Sequence, residues 1–294
     1  MFCACANRFG DPPNTNVCPV CLGMPGVLPT MNRKAYEFSV RVGLALNCKI
    51  AAYTKWDRKG YYYPDLPKNY QISQYDLPLS SDGSIDLPVA GQVKRVGITR
   101  AHLEEDAGKN IHDLPDCTGV DLNRAGVPLL EIVSEPDMNS PEEVMVYART
   151  MRQLVRYLGV SEANMQQGHM RFEPNISLWI FDEGEPDGGH YTPIVEVKNL
   201  NSFRALERTV VFEIERQINE WEADPDGYRM DKLAKQNRGW DDVKEITVFQ
   251  RHKEEAQEYR YFPEPDLAAV EIDEKWLGKI RSQVPELPAG RLVR

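Results

Sequence analysis

The sequence predicts a fold that mixes helices with strands. Three observations carry this. Apolar residues recur at helical spacing in three windows, they alternate strictly with polar ones from residue 170 to 180, and they gather into short β-rich runs at 96–103 and 127–134. With 294 residues, 41% of them hydrophobic, the chain can bury a substantial core. A net charge of −10 argues against a broad nucleic-acid surface, so any RNA contact has to be local. No apolar run has membrane-spanning length and no charged-then-apolar leader is visible, which points to a soluble, cytoplasmic protein with no membrane partner.

The chain opens with Cys3 and Cys5, then Cys18 and Cys21, on turns rich in Pro, Gly and Asn. Two close thiol pairs suit a tetrahedral four-cysteine zinc knuckle, structural because four thiolates leave no open position; two disulfides are the alternative. Cys48 and Cys117 stand alone and read as buried or incidental. Ala35, Phe38, Val42, Ala45 and Leu46 predict a packing helix over 32–47. From Lys55 to Gln74 bases and aromatics interleave, a composition that fits either a nucleotide or single-stranded RNA end, or a solvated loop with Tyr rings packed on the core.

The stretch 97–137 is the densest in chemistry. The run 96–103 ends in Glu104, Glu105 and Asp106 beside a flexible Gly, and the apolar run 127–134 carries Glu131 at its centre. A carboxylate there is costly to bury unpaired, so Glu131 is expected to face a cation, a base or a wet cleft. Carboxylates from two strands with Arg and Lys nearby suit a Mg²⁺ site that handles phosphate; a solvated charge run plus one salt-bridged Glu is the plainer reading.

Ser140, Pro141 and Glu143 start a core helix by capping-box chemistry, Val144, Tyr147, Met151, Leu154, Val155 and Leu158 continue it, and Gly159 stops it. Residues 170–180 read as one half-buried strand with Arg171, Glu173, Asn175 and Ser177 on its polar face. The acidic stretch 182–189 reads as a hairpin loop, and 194–198 as the returning strand, with Glu196 and Lys198 on one side. Ser202 caps a third helix with Phe203, Leu206, Val210, Ile214, Ile218 and Trp221 as its apolar stripe, and its polar N-terminus could meet a phosphate. Residues 223–244 read as a polar surface excursion, 251–266 as a second basic and aromatic wall, and the end from Val284 as a linker.

Residue strings then tie these readings together. The sequences FGDPPNTNVCPVCLGMPG from Phe9, DRKGYYYPDLPKNYQISQ from Asp57, HLEEDAGK from His102, LEIVSEPD from Leu130, KNLNSF from Lys198 and YRYFPEPDL from Tyr259 resemble the B subunits of tRNA-dependent amidotransferases over nearly the whole chain. The resemblance implies an α+β fold with a large, mainly antiparallel sheet, similar to the glutamine synthetase catalytic core. One domain is implied over 1–294, with a zinc knuckle at 1–25, a catalytic core at 26–285 and the start of a linker at 286–294. It implies that ATP phosphorylates the side-chain carboxylate of Glu-tRNA(Gln) or Asp-tRNA(Asn) and that ammonia from an amidase subunit then displaces phosphate. The implied partners are the amidase or A subunit, the small C subunit of the same amidotransferase and the acceptor end of the misacylated tRNA.

Carried over residue by residue, Mg²⁺ goes to Glu105 and Glu131 with Glu104 as a neighbour, Zn²⁺ to the four cysteines, and a catalytic role to Lys198. Nucleotide and acceptor-end contacts go to Arg58, Lys59, Lys68, Gln71, Ser73, Arg171, Asn175, Glu196, Arg260 and again Lys198. The chain departs from the family pattern in three places. It starts after the Glu-Val-His strand that usually helps build the metal site, it has Glu173-Pro174 where Asp and a small residue are usual, and it has Gln236-Asn237 for Glu-Thr. The helical and tail domains that grip tRNA do not follow. Two other readings therefore stay open: a non-catalytic, zinc-stapled scaffold or RNA-end module, and a free-standing ligase of glutamine synthetase type.

Overall fold

The computed structural model describes residues 1–112, 114–181, 188–252 and 259–287. In chain order the elements are α1 (Arg33–Ala45), β1 (Lys49–Ile50), β2 (Tyr53–Thr54), β3 (Asp57–Gly60), β4 (Tyr70–Ser73), β5 (Ser80–Val89), β6 (Gln92–Glu105), β7 (Lys109–Ile111), β8 (Gly119–Asp121) and β9 (Pro128–Ser134). There follow α2 (Pro141–Tyr157), β10 (Asn175–Ile176), β11 (Trp179–Phe181), β12 (Gly189–Tyr191), β13 (Val195–Lys198), α3 (Phe203–Ala223), β14 (Gln236–Asp241), β15 (Ile246–His252), β16 (Phe262–Pro263), β17 (Val270–Glu271) and α4 (Glu274–Arg281). No helix among the described residues is long and apolar enough to cross a membrane.

The mixed α and β character holds, but among the described residues no single large sheet forms. The strands fall into two four-stranded sheets, ordered β1-β5-β6-β9 and β10-β13-β14-β15, with smaller ones beside them, and β13 and β14 run parallel. The chain divides into two compact units where the sequence reading has one domain. The first holds Met1–Asp86, Val93–Asp137 and Glu255–Arg294; the second holds Leu87–Gln92 and Met138–Glu254.

In the first unit, α1 starts where the Asn32 side chain accepts from the Ala35 N–H, leaving fewer unsatisfied donors in the first turn. Of the stripe read from Ala35, Phe38, Val42, Ala45 and Leu46, the last three are buried, whereas Ala35 and Phe38 are only half-buried and Tyr36, Ser39 and Val40 take the core side of the first turns. Tyr36 and Val40 join Phe2, Trp56, Ile72, Leu79, Leu103 and Ile280 in one core, with Phe2 edge-on to Trp56 at 5.2 Å. That core fixes the site: Ile72 and Leu103 are buried from β4 and β6, so the side chains one position away must face outward from it.

In the second unit, Ser140 accepts from the Glu143 N–H at 3.2 Å and Gly159, at φ +64°, ends the helix as expected. Met145 and Ala148 of α2 pack with Val195, Val197, Leu206, Val210 and Trp240. Three expectations are corrected here. The half-buried and exposed positions alternate from 170 to 176 and break at Ser177, and strand pairing is confined to β10 and β11, because Ser177 and Leu178 turn to bond Thr192. The polar stretch 223–244 contains strand β14, hydrogen-bonded between β13 and β15. The buried side of α3 is Leu206, Thr209, Val210, Glu213 and Gln217, whereas Ile218 is exposed. Residues 182–187 of the expected hairpin loop, 253–258 of the expected second wall and 288–294 of the expected linker lie outside the described residues.

Candidate functional site: a carboxylate and imidazole cluster on β6 and β9

Strands β6 and β9 pair antiparallel, with His102 opposite Glu131, Glu104 opposite Leu129 and Glu105 opposite Pro128. Side chains two apart on a strand share a face, so His102, Glu104 and Glu131 meet on one side of the ladder while Glu105 points to the other. His102 Nε2 lies 3.3 Å from Glu131 and 3.8 Å from Glu104, and donor atoms of the three lie within 4.8 Å of one another. His102 and Glu104 are buried; Glu131, half-exposed at 46% of its side-chain surface, opens the cluster to solvent. Of the settings expected for Glu131, a cation, a base or a wet cleft, it has a base in His102 and partial access to solvent.

The β3–β4 hairpin supplies the neighbours by the same alternation. Asp57 pairs with Ser73, and Lys59 with Gln71, on one face; Arg58 pairs with Ile72 on the other. Ser73 Oγ donates to Glu104 at 3.4 Å, and Gln71 donates both to Glu104 and to the Glu105 carbonyl, the latter at 2.6 Å. Burial pushes the Glu104 carboxyl up and the Glu131 charge adds to this, against the pull of Lys59, His102 and Gln71. Glu131 is brought down to about 2, first by the hydrogen bond from His102 and then, against its own desolvation, by the charges of His102, Lys59 and Arg100. Two neighbouring carboxylates pushed in opposite directions mark this cluster as a candidate functional site.

Aromatic rings border the cluster. Tyr75 and Tyr261 stack at 4.0 Å, Tyr259 lies 6.2 Å from Tyr261, and Lys59 sits 4.7 Å over Tyr259. Burial, with the charges of Glu104 and Glu131, pushes the Tyr261 phenol up.

The Glu105–Glu131 pairing expected for Mg²⁺ is corrected. Glu105 is buried on the opposite face, clasped by both carboxylate oxygens to Lys68 Nζ, and it accepts from the Ile72 N–H at 3.0 Å. Lys68, also buried, is thereby committed, so the nucleotide contact expected of it is corrected too. Arg58 is likewise taken: it donates to Glu264 at 2.6 and 2.9 Å, reaches Asp266 at 3.3 Å and stacks over Tyr70 at 4.3 Å. Gln71 and Ser73 hold Glu104 and do not stand free for a nucleotide. Arg260 is exposed in a left-handed conformation, φ +47°.

His102 is the residue sequence reasoning left out of the site. Its signal was available: the His-x-Glu spacing within a strand puts both side chains on one face.

In the second unit, β10 pairs with β13 so that Asn175 lies opposite Glu196. Lys198 Nζ is 3.3 Å from Glu173 and 3.4 Å from Glu196, and burial, against Lys198 but with the Glu196 charge, pushes Glu173 up. Of the residues expected on the polar face, Glu173, Asn175, Glu196 and Lys198 come together, while Ser177 bonds Thr192 and Arg171 is exposed.

At the N-terminus the sulfurs of Cys3, Cys5, Cys18 and Cys21 come within 4.8 Å of one another, and none forms a disulfide. Zinc bonds of about 2.3 Å in a tetrahedron demand sulfurs about 3.8 Å apart, and Cys18 and Cys21 stand at 3.8 Å. Burial pushes Cys5 and Cys21 up, whereas Cys18, against its burial, is brought down to about 7 by hydrogen bonds from the Cys21 backbone and from Cys5. Gly23, at φ +64°, backs onto the Lys68 stem so closely that a Cβ would lie 2.3 Å from Lys68 Cγ, which couples the knuckle to the Lys68–Glu105 pair. Cys48 is buried and Cys117 exposed.

The family described as the GatB/GatE catalytic domain matches residues 1–278. The chain belongs to that family. It is 50% identical over 294 residues to the B subunit of the aspartyl/glutamyl-tRNA(Asn/Gln) amidotransferase of Thermodesulfovibrio yellowstonii, covering 100% of this chain and 60% of that protein. The same protein of Carboxydothermus hydrogenoformans is 49% identical over 298 residues, with 100% and 60% covered, and that of Rhodopirellula baltica 51% over 295, with 98% and 58% covered. The chain thus spans about 60% of the length of these curated relatives.

Proposed function

We propose that this chain is the catalytic domain of the B subunit of a tRNA-dependent amidotransferase, a carbon–nitrogen ligase in which it acts with an amidase or A subunit, the source of ammonia, and a small C subunit. One observation carries the reading: two carboxylates and an imidazole from β6 and β9 converge beside a lysine and a tyrosine wall. Their donor chemistry fits Mg²⁺, which takes one or two protein carboxylates and leaves other positions to water and substrate phosphates. Glu104 and Glu131 would hold it, and His102 orients Glu131 through their hydrogen bond. When bound, the ion neutralises phosphoryl oxygens.

The reaction needs positioning and charge neutralisation and no protein nucleophile. A side-chain carboxylate oxygen of the aminoacyl group attacks the γ-phosphorus of ATP as the bond to ADP breaks. Ammonia then attacks the acyl carbon, the bond to phosphate breaks, and nitrogen sheds a proton as the amide forms. Lys59 meets phosphoryl charge, and the faces of Tyr75, Tyr259 and Tyr261 suit a base or an acceptor-end nucleotide. Lys198, Glu196, Asn175, Arg171 and Arg260 are assigned to nucleotide or acceptor-end contacts, and the four cysteines to a structural Zn²⁺.

The test is ATP hydrolysis with Mg²⁺, misacylated tRNA and the two partner subunits. Glu131→Gln and Glu104→Gln should each lower turnover by about 10²-fold or more, and Glu105→Gln should act mainly through stability. Turnover unchanged in Glu131→Gln sinks the assignment, and turnover in wild type without RNA favours a free-standing ligase.

A further inference from the structure

From residue 144 to residue 161 there is no acidic side chain, although the chain as a whole carries 45 Asp and Glu. Within that stretch lie Arg149, Arg152 and Arg156, and at 3.6 residues per turn they share one face of α2 with Gln153. With Tyr157 these side chains line a shallow concavity of about 390 Å³. Arg149, Gln153, Arg156 and Tyr157 are exposed, and the opposite side of the helix is taken up by the core through Met145, Ala148 and Met151. Arg152 is half-buried and anchored: Nε donates to the Ala163 carbonyl at 3.3 Å, and its guanidinium lies 5.7 Å over the Phe203 ring.

The geometry points to this face as a docking surface for the phosphate backbone of RNA, apart from the β6–β9 cluster. Charge complementarity commits it to a polyanion: guanidinium forks match phosphate oxygens, and no acidic side chain lies in the stretch that carries them. The span fits as well. Arg149 and Arg156 are separated by roughly 10.5 Å along the helix axis, far enough for the two guanidinium groups to meet different phosphates of one strand. A chain of net charge −10 repels RNA over much of its surface, so a local arginine face also sets orientation. Choosing RNA among polyanions rests on the function proposed above; the surface itself stands on the arginines.

The experiment measures binding of fluorescently labelled, uncharged tRNA to the chain by anisotropy, without ATP, between 50 and 200 mM salt. The variant is R149Q/R156Q, which spares the anchored Arg152 and changes two exposed side chains, with an unchanged thermal melt as the folding control. The expected result is affinity lowered about tenfold and a salt slope reduced by about two. Wild-type affinity and slope in the variant, or no tRNA binding by wild type, overturns the surface. A variant that loses RNA affinity while wild type lacks Mg²⁺-dependent turnover would uphold the surface and sink the catalytic reading instead.

Discussion

Glu104 and Glu105 are adjacent in β6, yet the Glu104 carboxylate accepts from Ser73 on the His102 side, while the Glu105 carboxylate is held by Lys68 on the other. The strand's period of two separates a member of the candidate metal cluster from a structural anchor. Removing one partner of a buried ion pair strands the other charge, at a cost of about 3–5 kcal/mol. Glu105→Gln should therefore lower unfolding free energy by about 3 kcal/mol in urea titration, and Lys68→Met in the same chain should recover part of it. A Glu105→Gln chain as stable as wild type would show that the pair holds nothing together.

Much of the fold was legible because its signals are local. Ser140 and Gly159 bracket α2 through cap chemistry that depends on a few residues alone. The site was legible as a stretch and misassigned within it: HLEED says that carboxylates gather, but which of them meets Glu131 depends on a register visible only once β6 and β9 are paired. Strand β14 was hidden because its support is non-local, from β13 and β15, while its own sequence QNRGWD lacks apolar alternation.

The zinc proposed for the four cysteines would have a consequence for stability. Four thiolates from two turns otherwise carry little core of their own, so metal binding contributes folding free energy. The purified chain should contain one zinc per molecule by elemental analysis. Chelation, or Cys21→Ser, should lower the melting temperature by at least about 5 °C and expose Gly23 and Lys68 to faster hydrogen exchange. A metal-free chain with an unchanged melt would remove the structural role.

A pH dependence follows from the contact between α1 and α4. Glu37 accepts from Arg33 Nε and from Trp276 Nε1, each at 2.8 Å, and these two bonds, Arg33 first, hold its carboxyl below the ordinary value. A carboxyl lowered by folding contributes stability that is in full force above its unfolded value, near 4.5, and is lost as pH falls through its lower folded value. Glu37→Gln should cost roughly 1 kcal/mol at neutral pH and flatten the acid limb of the stability curve below pH 4.5. Parallel acid limbs in the two proteins would rule Glu37 out as a contributor.

Glu213 explains why the buried side of α3 departs from its apolar stripe. Its fully buried carboxylate takes the Arg216 fork at 2.9–3.1 Å, accepts from Thr247 Oγ1, and lies 3.4 Å from Arg238 Nε. Burial and the Arg216 charge pull the Arg238 guanidinium down, so two cations depend on one anion. An amide of the same shape at 213 leaves the two guanidinium groups only the more exposed Glu220, 3.8 Å from Arg216, as countercharge, and Thr247 still finds an acceptor, so the loss isolates charge from packing. Glu213→Gln should destabilise the chain by about 3–5 kcal/mol. Adding Arg238→Met removes one uncompensated cation and should restore part of that loss, whereas strictly additive losses in a double-mutant cycle would mean that Glu213 and Arg238 are not coupled.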